Sequence, residues 1–223
     1  FKVNDEAIDK EEKLTAIKTA SRYFELAYRY AARPERPTLI LTAGLMGTGK
    51  SVLAGNLGML LESEIIRSDV IRKEMLKIAP SERHHEGFGK GIYADTISRK
   101  TYEEAFKLAD MELKKGKSVI IDASFKTKRD REIASRVASL ADADFFILEC
   151  VCPDEIVRER LDARLSDSDE ASDGRWEIFE AQKVSFEEIN EFPEHCHIVI
   201  DSSQSPEKCM EDAIDKIRFG GAD

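Results

Sequence analysis

Gly44-Leu45-Met46-Gly47-Thr48-Gly49-Lys50-Ser51 satisfies every fixed position of the G-x-x-x-x-G-K-[ST] pattern, the Walker A phosphate loop. Glycines let such a backbone turn so that its N–H groups point inward, and a helix starting at Lys50 aims its positive end at the same anion. Gly44, Gly47, Thr48 and Gly49 would line the cradle, Lys50 would reach the β- and γ-phosphates, and the Ser51 hydroxyl would take one position on Mg²⁺. The flanks agree. Thr38-Leu39-Ile40-Leu41-Thr42 reads as a buried strand and residues 51–61 read as a helix, which is the order the motif requires.

Outward from this loop the pattern alternates between strand and helix to the end of the chain. Strands are expected over 63–67, 117–122, 144–151 and 197–201, and helices over 69–78, 96–115, 128–140, 153–165, 176–189 and 206–219. The segment 80–91 reads as a loop with three glycines, Gly116 as the stop of the helix before it, and 166–174 as a polar, acidic, mobile loop. Apolar strands alternating with helices make an α/β fold, a parallel sheet covered on both faces. Residues 1–33 carry Ile8, Leu14, Ile17, Ala20, Phe24, Ala27 and Tyr28 at helical spacing, a single apolar stripe. Arg33-Pro34-Glu35-Arg36-Pro37 breaks that helix, so residues 1–36 are read as a helical extension or linker and 37–223 as the main domain.

The bulk numbers narrow the class. A chain of 223 residues can bury a core that needs no disulfides. Its 34 Lys+Arg against 44 Asp+Glu, a net charge of −10, disfavour broad sequence-independent nucleic-acid binding and leave room only for a local basic groove. No signal peptide is expected, and no apolar run approaches the ~18 residues of a membrane span, so no membrane partner is expected. Cys150, Cys152, Cys196 and Cys209 without regular spacing suggest reduced thiols and a cytoplasmic protein. Cys150 and Cys152 together with His195-Cys196-His197 would be a metal candidate, but on parallel strands the two groups fall at opposite sheet edges.

Parallel sheets bind ligands at the carboxyl ends of their strands, so the residues delivered there matter most. The second strand delivers Ser68-Asp69-Val70-Ile71-Arg72, with Asp69 and Arg72 on one helix face. They read either as an N-cap with a surface arginine or as a base for an acceptor hydroxyl with a phosphate clamp. The third strand ends in Asp122, either a turn cap or the carboxylate that holds Mg²⁺ or its water. Arg158, Arg160 and Arg164 precede the acidic loop and Arg175 follows it. Arg160 and Arg164, four apart, could converge on one polyanion as a closing lid or form a solvated salt-bridge face. Residues 83–93, rich in cationic and aromatic groups, suit an acceptor-binding flap. Lys126, Lys128, Arg129 and Arg131 would touch an anionic acceptor or simply cover a helix start.

Gly44 to Ser51, Ser68-Asp69-Val70-Ile71-Arg72-Lys73, Tyr102, Ile121-Asp122-Ala123-Ser124-Phe125 and Ser172-Asp173-Gly174-Arg175 resemble, in order and spacing, the P-loop kinase domain of two-domain bacterial proteins. In those proteins the preceding half is similar to aminoglycoside phosphotransferases. The wider group is zeta-toxin-like, gluconate-kinase-like and polynucleotide 5′-kinase-like. The resemblance covers about residues 15 to 218, with residues 21–27 similar to the linker between the halves, which fits a chain that opens on Phe1 as part of a longer protein.

The resemblance implies a P-loop NTPase three-layer sandwich with a five-stranded parallel sheet ordered 2-3-1-4-5 and a lid at about 160–178. It implies nucleotide contacts from Lys50 and Ser51, acceptor contacts from Asp69 and Arg72, and lid arginines at Arg160, Arg164 and Arg175. The family pattern shows Ser-Asp-Ala-Arg where this chain has Gly174. The expected activity is transfer of the γ-phosphate of ATP, or of GTP, to a hydroxyl of a small molecule or of a nucleic-acid 5′ end, with Mg²⁺. The alternative is a regulatory ATPase or nucleotide switch serving a further N-terminal domain.

Overall fold

Leu39, Ile40 and Leu41 are wholly shielded from solvent, as a strand apolar on both faces must be when helices cover it above and below. They belong to β1 (Thr38–Ala43), the middle strand of a five-stranded sheet in which β2 (Glu64–Arg67), β3 (Val119–Asp122), β4 (Asp144–Val151) and β5 (His197–Asp201) all pair in parallel. The order is β2-β3-β1-β4-β5, as expected. The structure, a computed structural model, describes residues 36–79, 91–165 and 176–219, together with 10, 11, 13–15, 17, 18, 20, 21 and 24. It divides into two units, Phe1–Arg33 and Pro34–Asp223. In the first, the described residues are helical. Ile8, Ala27 and Tyr28 of the apolar stripe lie outside the described residues, as do the loop 80–90 and the acidic stretch 166–174.

In the second unit the helices are α1 (Lys50–Leu61), α2 (Ser68–Leu76), α3 (Asp95–Leu113), α4 (Lys128–Leu140), α5 (Asp154–Leu165), α6 (Trp176–Ser185) and α7 (Pro206–Phe219), with a short 3₁₀ turn at Gly91–Tyr93. Alternation along β1 sorts them into layers. Leu39, Leu41 and Ala43 face Tyr102, Phe106 and Leu113 of α3 and Ala134 and Ala138 of α4. Ile40 faces the opposite side, where α1 packs on α7. The helix expected to stop at Gly116 ends at Leu113, and Gly116 follows in the left-handed region at φ 79°. Among the described residues no helix is long and apolar enough to cross a membrane.

Two expectations are corrected by one side chain. The helix read over 176–189 ends at Ser185, and Arg131, read as part of a basic cluster that would touch an anionic acceptor or cover a helix start, is fully buried. Its Nε donates to Glu191 Oε1 at 2.5 Å, its Nη1 to the carbonyls of Phe125 and Glu187 at 2.9 and 3.1 Å, and its Nη2 to that of Glu188 at 3.2 Å. Glu187 N–H donates to Lys126 O at 2.9 Å. Peptide groups that would have extended the helix are therefore engaged by the arginine and by the loop after β3, and the chain leaves α6 extended.

Removing one partner of a buried ion pair strands the other, so Arg131→Ala is expected to cost about 3–5 kcal/mol in urea unfolding. Burial acts to raise the Glu191 carboxyl, and the hydrogen bonds from Arg131 and from backbone N–H groups outweigh it, holding the carboxyl below its ordinary value of 4.5. With the folded pKa depressed, this stabilisation is complete above 4.5 and is lost as pH falls through the lower folded value. Glu191→Gln is expected to flatten that acid limb in thermal denaturation across pH 3 to 6.

Candidate active site

Thr42 of β1 is in register with Asp122 of β3, and Asp122 with Arg67 of β2. The three strands therefore end within one residue of a common row, with neighbours about 4.8 Å apart, and the segments that follow them leave from a single edge. On the other flank of β1, Ala43 pairs with Glu149 of β4, and Val151 of β4 pairs with Asp201 of β5. The phosphate loop thus sits centrally, between the β2/β3 ends and the β4/β5 ends.

Gly44 begins the loop at φ 120°, and a Cβ there would stand 2.5 Å from the carbonyl oxygen of Cys150, so only glycine fits the approach. Its N–H donates to Ser124 O at 3.1 Å. Thr48 Oγ1 and Lys50 Nζ both donate to Leu45 O, at 2.8 and 2.6 Å. Gly47 and Gly49 also take positive φ, and Gly49 caps α1 with no side-chain hydrogen bond. The first N–H groups of α1 are consequently uncapped by any side chain, the condition under which a helix start receives an anion.

Asp122 is buried, and its Oδ1 accepts from Thr42 Oγ1 at 3.1 Å. It shares the sheet face of Thr42 and Ile40, the face on which α1 lies with Ser51 in its first turn. A carboxylate and a hydroxyl are the oxygen donors that Mg²⁺ accepts, and Mg²⁺ commonly keeps several waters, so this pair fits it. By contrast, no cluster of three His, Cys, Asp or Glu suited to a metal occurs among the described residues, and the four cysteines are free thiols.

On the β2 side, α2 starts at Ser68 with Arg67 at its cap position, so Asp69 lies in the first turn and is not the cap. Its carboxylate accepts a hydrogen bond from Arg72 Nη1. The two differ in setting: the Asp69 side chain is 70% exposed and that of Arg72 is 8% exposed. Arg72 lies under the Tyr93 ring, 4.8 Å from its centroid, and its buried Nε has no hydrogen-bond partner among the described residues. Nearby, the loop after Asp122 turns through Phe125 at φ 42°, whose N–H donates to the Tyr102 hydroxyl at 3.1 Å. Burial pushes the Tyr102 phenol up to about 12, so it remains protonated while it holds this turn.

On the β4/β5 side a cavity of about 340 Å³ opens beside Gly49, walled by Leu53, Cys150, Ile200, Pro206, Cys209 and Arg160. Arg160 donates to Ser202 O at 2.7 Å and reaches Gly47 O at 3.5 Å. Burial drives the Cys150 thiol to about 12, which makes it an apolar wall and not a nucleophile. Arg164 is one turn further along α5; its side chain and all of Arg175 lie outside the described residues. Tyr93 and Ser124 fall in stretches that the sequence singles out, whereas the cavity and Gln182, whose Oε1 accepts from Met46 N–H at 2.9 Å, carry no local sequence signal. Each acquires its place only through strand order and helix packing.

The AAA domain family matches residues 39–189. Uncharacterized proteins of Mycobacterium tuberculosis and Mycobacterium bovis are each 26% identical over 134 residues, 60% of this chain but only 27% of the relatives' length. Among solved structures, a sugar kinase from Janibacter superposes with a TM-score of 0.60 at 18% identity, covering 83% of this chain and 97% of that one. The Mycobacterium tuberculosis APS kinase in complex with AMPPNP and APS gives 0.58 at 19%, covering 83% and 99%. Kti12 of Chaetomium thermophilum in complex with ADP-AlF3 gives 0.59 at 19%, covering 83% and 100%. At such identities the likeness is one of fold.

Because a methyl group at position 44 would meet backbone and require φ 120°, Gly44→Ala is expected to cost about 1–3 kcal/mol in chemical denaturation. The same variant is expected to weaken the binding of a nucleoside triphosphate measured by calorimetry.

Proposed function

The chain belongs to the AAA domain family, and on that premise we propose that it is a kinase moving the γ-phosphoryl group of ATP to an acceptor hydroxyl. The observation that carries this reading is the layout along one sheet edge. The phosphate loop is central, the apolar cavity lies on the β4/β5 side, and the exposed carboxylate with its arginine lies on the β2/β3 side. A nucleotide laid over the loop with its base in the cavity would present its terminal phosphate toward Asp69. Two substrates would meet over Gly44–Ser51.

In this reading the backbone N–H groups of Gly47, Thr48, Gly49, Lys50 and Ser51 and the Lys50 ammonium hold the phosphates. Arg160 sits over the base cavity and the near end of the loop, with Arg164 and Arg175 completing the positive charge. Asp69 accepts the acceptor's proton as its oxygen bonds to the γ-phosphorus and the bridging P–O bond to ADP breaks. Arg72 orients Asp69, and its Nε, which has no hydrogen-bond partner among the described residues, suits an acceptor bearing an anionic group beside the hydroxyl. Ser51 and Asp122 would hold Mg²⁺, which neutralises phosphate charge when bound. A 5′-terminal nucleotide and an anionic small molecule both satisfy Arg72, whereas the net charge of −10 favours the small molecule. A phosphotransferase-like domain in the rest of a longer protein is part of the same proposal.

Incubation with labelled ATP, Mg²⁺ and either a 5′-hydroxyl oligonucleotide or a panel of sugars and sugar acids is expected to label one acceptor class. Hydrolysis to free phosphate whatever the acceptor would instead support a regulatory ATPase. Asp69→Asn is expected to leave ATP affinity nearly unchanged and to lower acceptor phosphorylation about 10²–10⁴-fold. Unaltered turnover in that variant sinks the assignment of the base.

A further inference from the structure

The peptide that joins Leu45 to Met46 is held at both of its polar atoms. Its carbonyl accepts from Lys50 Nζ at 2.6 Å, and its N–H donates to Gln182 Oε1 at 2.9 Å. A peptide is a rigid plane, so the two bonds act on one plate, and tilting it to lose one disturbs the other. Gln182 belongs to α6, the helix that follows residues 166–175. Phe179, one turn earlier, packs with Val157 and Leu161 of α5 in a buried cluster that contacts Leu45 and Met46. Lys183, the next residue, pairs with Asp154 of α5 at 2.5 Å. Both α5 and α6 are thereby seated against the same two residues of the phosphate loop.

We propose that Gln182 is a positioning residue of the nucleotide site, acting through the Leu45–Met46 peptide to hold the Lys50 ammonium where the terminal phosphates bind. Binding of the triphosphate then depends on α6 being seated on the loop. The inference rests on the kinase reading above. Glutamine suits the task because its neutral amide oxygen accepts from a backbone N–H without bringing negative charge beside the phosphates. Glutamate would accept equally well and repel the ligand, and methionine would fill a similar volume and accept nothing from Met46 comparable to an amide oxygen.

The test compares wild type, Gln182→Met, Gln182→Glu and Lys50→Ala, measuring amide hydrogen exchange at Met46 without ligand, affinity for Mg-ATP and Mg-ADP, and melting temperature. For Gln182→Met we expect faster exchange at Met46, about tenfold weaker ATP binding and an unchanged melting temperature. Gln182→Glu is expected to keep Met46 protected while weakening ATP more than ADP, because its charge meets the extra phosphate. ATP binding by Gln182→Met equal to wild type overturns the proposal. So does a fall in melting temperature that accompanies the affinity loss in both variants. If wild type binds no better than Lys50→Ala, the kinase reading fails and takes the inference with it; if wild type binds, Lys50→Ala does not and Gln182→Met matches wild type, the inference alone fails.

Discussion

A parallel sheet ends all its strands at one edge, and here that edge is aligned to the residue: Thr42, Asp122 and Arg67 stand in a single row across β1, β3 and β2. Every chemically interesting group hangs from that row or from the matching ends of β4 and β5. The alignment depends on burial from both sides. Leu39, Ile40, Leu41, Val119, Ile120 and Ile121 are all inaccessible to solvent, and a slip by one residue would exchange the residues directed to the two helical layers. Register and site geometry are therefore held by the same hydrophobic packing.

Around the row, buried polar groups hold the turns that apolar packing cannot orient. The Tyr102 hydroxyl takes the N–H of Phe125, Arg131 takes its carbonyl, and Ser124 O takes the N–H of Gly44. These contacts join α3, α4 and the phosphate loop through one short segment after Asp122. Arg131 also fastens the extended chain beyond α6 at Glu187, Glu188 and Glu191. Unsatisfied peptide groups at such a depth would cost about 1–3 kcal/mol each, which explains why a charged side chain is retained inside the fold. The phosphate loop is thus braced from the side of β3 by backbone and from the side of α5 and α6 by Arg160 and Gln182.

The two halves of the site contrast physically. Toward β4 and β5 the walls are apolar, with Leu53, Cys150, Ile200 and Pro206 around a cavity that Arg160 partly closes. Toward β2 the groups are charged, with an exposed carboxylate and a guanidinium buried under an aromatic ring. A flat apolar ligand fragment and an anionic one would each find their setting, one on each side of a loop built for phosphate.

Much of this was legible in the linear sequence. Glycines at fixed spacing, a lysine and serine after them, and apolar strands alternating with helices specify the phosphate loop, its flanks and the parallel sheet, because those signals are local and the required φ values and periodicities belong to short segments. Asp69 and Asp122 were visible for the same reason, Asp122 being the acidic residue that ends an apolar strand and Asp69 the one just past the end of β2. Long-range contacts carry no such mark. That Arg131 is buried and α6 stops at Ser185 follows from carbonyls 56 and 57 residues away. That Gln182 reaches Met46 spans 136 residues, and that Arg160 closes on Ser202 spans 42. The sequence by itself determined which residues form the loop and the strands. Only the tertiary structure decided which side chains brace them, because a hydrogen bond across the fold depends on where helices pack and not on the residues beside it in the chain.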